Sequence, residues 1–325
     1  MSQAVRKEVL KDIAIGIAIT SILFAVSIKS PVLGFFCTFL VPLPTLFYRS
    51  KFGRKIGTAV PGFTIIALII VLGRFSFDVF FFIELLLIGF VLSELIELKL
   101  SIEKTFIYAC TVVLCSSILF VLFYSNITGI QIGSLVSGYI VKNLELTLEL
   151  YRNIGMPEEN IHMISSSMES FQYVLIRIIP ALAIALTLFI TWTSLMLAKP
   201  LLKTKNLFYP DFGLLNLWKA PEYLVWIAVS CGILLLIPDK AVRLMGINGI
   251  LILMTIYFFQ GMAIVSFYFE KKQFPRLLRF FLYSLVAIQQ VFLLIVVILG
   301  FFDIWFNFRK LELKKSNSTK RNRRL

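Results

Sequence analysis

Long apolar runs repeat along this chain, separated by short segments where lysine and arginine collect. A bilayer core is about 30 Å thick and is crossed by roughly 20 apolar helical residues. Runs of that order fall at about 12–28, 31–48, 57–73, 77–97, 105–125, 173–198, 245–269 and 280–303. A further run, 222–237, is boxed by Pro221 and Pro238. As a helix it covers roughly 24 Å, short of the core thickness, which suits a re-entrant or tilted segment. The pattern predicts an all-α polytopic membrane bundle of about eight transmembrane helices, with nine as the alternative.

The stretch 126–172 breaks the pattern. Leu144, Leu148 and Tyr151 recur at helical spacing, so 136–154 reads as an amphipathic helix. Gly155 is a stop signal, and Pro157 followed by Glu158 and Glu159 is a helix start. Ile161, Ile164, Met168 and Leu175 carry a second stripe into the next run. The expectation is an amphipathic helical hairpin between the fifth and sixth membrane helices, on the membrane surface. It serves either as a connecting cap or as a lid over a cavity.

Composition agrees with this class. Hydrophobic residues make up 59% and charged residues 15%, far from a soluble domain. The net charge of +14 invites a nucleic-acid reading, but the cations sit between apolar runs and in the tail, as the positive-inside rule places them. Lipid head groups, not nucleic acid, are the expected contact. The organisation that follows is a membrane core 1–198, a basic cytoplasmic loop 199–220, C-terminal membrane helices 221–308 and a basic disordered tail 309–325. The first run follows Arg6, Lys7 and Lys11 but lacks a small-residue cleavage site after it, so it reads as a retained helix.

Charge bias puts the N-terminus, the loop 49–56 and the loop 199–220 inside, and the acidic hairpin outside. Eight spans also put the tail inside, in a bacterial cytoplasmic membrane. The same count leaves Lys271, Lys272, Arg276 and Arg279 outside, against the charge rule.

Chemistry is sparse. Cys37, Cys110, Cys115 and Cys231 all lie in apolar runs, and His162 is the one histidine, so no metal-ligand set or cofactor site is expected. No nucleophile–base arrangement or phosphate-cradling glycine loop is visible, which argues against an enzyme. The best candidate is Glu84, a carboxylate inside an apolar run, with Arg74 and Arg177 as expected partners. The structural alternative is an ion pair or a snorkelling group. Asn248, Gln260, Gln289 and Gln290 place uncharged polar groups in the last runs, as helix-to-helix bonds or as a polar substrate site. Ala14 and Ala18 put small residues four apart on the first helix, where another helix can approach.

Two motifs, Phe212-Gly-Leu-Leu-Asn-Leu-Trp218-Lys-Ala-Pro221 leading to Trp226, and Gly300-Phe-Phe-Asp303-Ile-Trp305-Phe-Asn-Phe-Arg309, flank a helix carrying Asn248, Tyr257 and Gln260-Gly261. With it they resemble the YybS-like family of bacterial multi-pass membrane proteins over the whole length. That family is in turn distantly similar to the substrate-binding S subunits of energy-coupling-factor transporters and to MreD-like proteins. The S-subunit resemblance covers the first six helices. It implies a solute-binding subunit working with a transmembrane coupling subunit and separate ATPase subunits, with Ala14 and Ala18 at the docking position. The MreD-like comparison implies a scaffold that binds envelope-assembly proteins. The chain departs from S subunits in its extra C-terminal spans and in lacking a vitamin-specific signature.

Overall fold

Helix boundaries follow local signals in this computed structural model, which describes residues 3–72 and 77–310. Among the described residues the helices are α1 (Gln3–Lys29), α2 (Pro31–Thr38), α3 (Pro42–Gly57), α4 (Ala59–Leu72), α5 (Phe77–Glu97), α6 (Ile102–Thr128), α7 (Ile132–Asn153), α8 (Glu158–Ser166), α9 (Met168–Thr204), α10 (Tyr223–Leu234), α11 (Lys240–Lys271), α12 (Arg276–Ile288) and α13 (Gln290–Phe306), with a 3-10 turn at Leu215–Leu217. Ser101 caps α6 by accepting from the Lys104 amide, and Gly129 ends that helix at φ +67°. Asp239 accepts from the Ala241 and Val242 amides, both at 2.9 Å, and so starts α11.

The hairpin segment follows its signals closely. Ile140 and Leu148 are the buried residues of α7. Gly155 sits at φ +78°, and the Met156 amide reaches back to the Tyr151 carbonyl, closing the helix in the Schellman manner. Pro157 is the N-cap of α8, and Ile161 is its buried residue.

Five described helices are long and apolar enough to cross a membrane: Lys7–Lys29, Val79–Glu97, Ile102–Thr128, Met168–Thr204 and Lys240–Lys271. Two bent pairs bring the count to seven. Leu33–Gly57 meets Ala59–Val71 at 87°, and Arg276–Ile288 meets Gln290–Phe306 at 100°. The expected count of eight takes the arms of the first pair as separate spans. The run 222–237 forms a short helix, α10. The run 280–303 is not one straight span. Gln289 adopts an extended conformation (φ −101°, ψ 114°) and breaks it.

The chain divides into two compact units, and the boundary falls inside α9. Unit 1 comprises Met1–Ile132 and Leu186–Phe212. Its core centres on α5, where Leu85, Leu86, Ile88, Leu92 and Ile96 are buried. Gly89 lets α5 approach α3 so closely that a Cβ there would overlap the Pro42 carbonyl. On α1, Gly16 faces the Tyr48 ring, and a Cβ would come within 2.6 Å of it.

Unit 2 comprises Gly133–Ala185 and Gly213–Leu325. Gln172 on α9 donates to the Ser137 hydroxyl on α7 at 2.7 Å. Helices α11 and α13 cross where two glycines meet. A Cβ on Gly261 would overlap the Val296 carbonyl oxygen, and one on Gly300 would overlap that of Tyr257. Beyond the crossing, Gln260 meets Asp303, and the Tyr268 hydroxyl donates to the Phe308 carbonyl at 2.8 Å. The pairs Tyr257–Gly300, Gln260–Asp303 and Tyr268–Phe308 advance together along both segments, so α11 and α13 run parallel. The chain leaving α11 at Lys271 therefore returns through α12 before α13 begins.

Candidate functional site

Three polar clusters lie within the helical units. The first holds Glu84. Its carboxyl sits on α5 among apolar neighbours, and the residue is 7% exposed. The Ser116 hydroxyl on α6 lies 3.0 and 2.9 Å from the two carboxyl oxygens, while the Ser117 hydroxyl donates to the Val113 carbonyl at 3.0 Å. The same Ser116 oxygen is 2.8 Å from the Val113 carbonyl. A hydroxyl has one proton to donate, so Ser116 must divide itself among three acceptors. Such a donor switches partner without unfolding anything.

The second cluster closes one end of unit 1. Arg49 is 3% exposed, although its position in a basic segment suggests a solvated loop charge. Its Nε and Nη2 donate to Glu94 Oε1 at 3.0 and 2.6 Å, and its Nη1 pairs with Glu97. Arg54 lies 3.5 Å from Glu94, and Lys51 pairs with Asp12 on α1. Arg49, Lys51 and Arg54, in the second half of α3, are thus each met by carboxylates from α1 and α5.

The third cluster is the core of unit 2. Asp303 Oδ2 accepts from Arg309 Nη2 at 2.8 Å and from Gln260 Nε2 at 3.1 Å. Asp303 Oδ1 accepts from the Phe308 amide at 3.0 Å. Gln260 Oε1 accepts from the Ala220 amide at 3.1 Å. Arg309 Nη1 donates to the carbonyls of Asn216 and Trp218 at 2.9 and 2.8 Å. Gln260, Asp303 and Arg309 are each almost wholly buried. The segments singled out as motifs therefore converge on one buried network of hydrogen bonds, strengthened by the low dielectric around it.

The other expected site residues scatter. Arg177, in unit 2, is exposed, stacks 3.5 Å over the Tyr173 ring and donates to the Tyr173 carbonyl at 2.9 Å. Arg74 lies outside the described residues. Asn248 donates to the Arg177 carbonyl at 3.0 Å and to that of Leu244 at 2.8 Å, tying α11 to α9. Gln289 and Gln290 are exposed at the α12–α13 break. Ala14 and Ala18 are exposed on α1, while Gly16, Thr20 and Phe24 form its buried face. Sequence reasoning missed Ser116, Arg49 and Asp303 as partners. The signal available for Ser116 was a tandem hydroxyl pair in an otherwise apolar run.

A family described as "Predicted membrane protein (DUF2232)" matches residues 18–304. The "Uncharacterized protein YybS" of Bacillus subtilis (strain 168) is 23% identical over 302 residues, which cover 91% of this chain and 96% of that protein. No solved structure matches.

Proposed function

Since the chain belongs to the DUF2232 family of predicted membrane proteins, we propose that it is a small-molecule binding or transport subunit embedded in the bacterial cytoplasmic membrane. One observation carries this reading. Glu84 sits inside a membrane-crossing helix, and its carboxyl bonds there to the Ser116 hydroxyl. An ionisable group at that depth is costly and is kept where it meets a solute or ion. A hydroxyl that switches acceptor suits a ligand that arrives and leaves.

The reading is non-enzymatic. No nucleotide-binding motif is visible in the sequence, so energised uptake needs separate ATPase subunits and a transmembrane coupling subunit. The outward Ala14 and Ala18 on α1 offer a close-approach face for that partner. The N-terminus and the basic tail lie on the cytoplasmic side in this reading.

A second reading is a scaffold for envelope assembly. The engagement of Asn248 and Gln260 by protein groups favours it, because their amides already serve the fold.

Purification of the tagged protein from native membranes in mild detergent, with mass spectrometry of what accompanies it, separates the two. A coupling subunit with ATPases supports the first. Envelope-elongation proteins with no ATPase overturn it in favour of the second.

A further inference from the structure

We propose that the basic end of unit 2 binds an anionic phospholipid, with part of an acyl chain in a cavity between α11 and α13 and the phosphate held by Lys272 and Arg276. The cavity measures about 230 Å³. Ile264, Phe269, Phe274, Leu299 and Phe308 wall it, and Lys272 lines its edge. Sites that enclose a whole small molecule run to roughly 300–1,000 Å³. This cavity therefore takes a portion of a ligand, and its apolar walls select hydrocarbon.

The cavity opens where α11, a membrane-crossing helix, ends at Lys271. That is the level at which lipid phosphates lie. Lys271, Lys272 and Arg276 are exposed there, and Arg279 follows on α12. The nearby acidic residue, Glu270, is already engaged by the Asn216 amide at 2.6 Å. Arg279 Nε donates to the Phe274 carbonyl at 2.8 Å and so fixes the turn that covers the cavity. Beside it, Leu277 and Phe280 of α12 are 85% and 73% exposed, a surface along which the rest of the lipid can lie. A zwitterionic headgroup leaves this concentration of cations uncompensated, whereas an anionic phosphate matches it.

The test uses the full chain, delipidated in detergent, with native mass spectrometry of added phosphatidylglycerol or phosphatidylcholine of identical acyl chains. The expected result is retention of phosphatidylglycerol over phosphatidylcholine, reduced by high salt. Each cation is worth about fivefold in affinity, so Lys272→Gln with Arg276→Gln weakens phosphatidylglycerol binding about 25-fold. Both residues are exposed, so the double variant keeps the wild-type melting temperature without lipid. Leu299→Trp, which fills the cavity, weakens binding with the cations intact. Equal retention of the two lipids, unchanged binding by the double variant, or a second protein chain seated in the cavity each overturns the proposal.

Discussion

The Asp303 carboxylate and the Arg309 guanidinium meet at 2.8 Å with side chains 2% and 0% exposed. The pair links the last turn of α13 to the residues just after it, yet it carries bonds from two other segments. Gln260 of α11 reaches the same carboxylate oxygen, and Arg309 holds the backbone of 216–218. Removing one partner of a buried pair leaves an uncompensated charge and costs about 3–5 kcal/mol. Asp303→Ala is expected to lower unfolding stability by that amount in a denaturant titration in detergent. The double variant Asp303→Ala with Arg309→Met recovers part of the loss, because it leaves no buried charge.

The Gly261–Gly300 crossing predicts a sharp positional contrast. Any side chain at Gly300 strikes the Tyr257 backbone and lies within 2.8 Å of the Gly261 nitrogen. Gly300→Leu is expected to cost about 1–3 kcal/mol or more through overpacking. Gly62 on α4 has nothing within 4 Å of its Cβ position. Gly62→Ala is therefore neutral or stabilising by up to about 1 kcal/mol, since alanine is the better helix former. Melting temperatures of the two variants in one detergent check the difference.

Glu84 yields a prediction that separates its two readings. Glu84→Gln keeps the shape and still bonds to Ser116, so the variant inserts and melts near the wild type. Loss of solute binding or uptake with normal membrane levels marks the carboxyl as the working group. Full retention of function makes it a structural residue. Ser116→Ala should resemble Glu84→Gln in function while lowering stability, because it strips the buried carboxyl of its hydroxyl donor.

The loop after α9 carries a pH dependence. Tyr209 donates to the Leu195 carbonyl at 3.2 Å, and burial pushes its phenol up to about 12. Below pH 10 the phenol is neutral in both folded and unfolded chains, and its contribution is fully present. Between pH 10 and 12 the unfolded chain loses the proton first, so stability falls as pH rises. Tyr209→Phe is expected to be less stable at pH 8 and to show a shallower alkaline loss. Unfolding midpoints measured across that window report it.

Much of this fold is legible in the chain's local signals. The 3.6-residue stripe of Leu144, Leu148 and Tyr151, the stop at Gly155 and the start at Pro157 need no distant partner, and α7 and α8 follow them. Membership of the YybS-like group, read from the Trp218 and Asp303 motifs, is borne out by the family match. What the sequence hides is direction and distant pairing. An apolar run says nothing about a bend, so the 100° break at Gln289 is invisible in it. Arg49 reads as a loop charge because Glu94 and Glu97 lie more than forty residues further along the chain. Glu84 stands out as a lone charge, but its partner is a hydroxyl whose role only the packing of α5 against α6 reveals.

The same contacts bear on the conflict in the charge-based topology and make it testable. Asn216 bonds to Glu270, Arg309 bonds to the Asn216 carbonyl, and Tyr268 bonds to that of Phe308. The segment before α10, the end of α11 and the start of the tail therefore share one end of unit 2. Lys271, Lys272 and Arg276 gather at that end with Lys310. The turn at Pro238, between α10 and α11, belongs to the other end, because α10 leaves from the 216–220 segment and α11 returns to it. Single cysteines at Gln273, Ser318 and Pro238, in a chain whose four native cysteines are replaced by serine, test this with a membrane-impermeant maleimide. Gln273→Cys and Ser318→Cys are expected to react from one side of sealed vesicles, and Pro238→Cys from the other. Labelling of positions 273 and 318 from opposite faces would mean that α13 does not run parallel to α11 in the membrane, and the shared end would have to be abandoned.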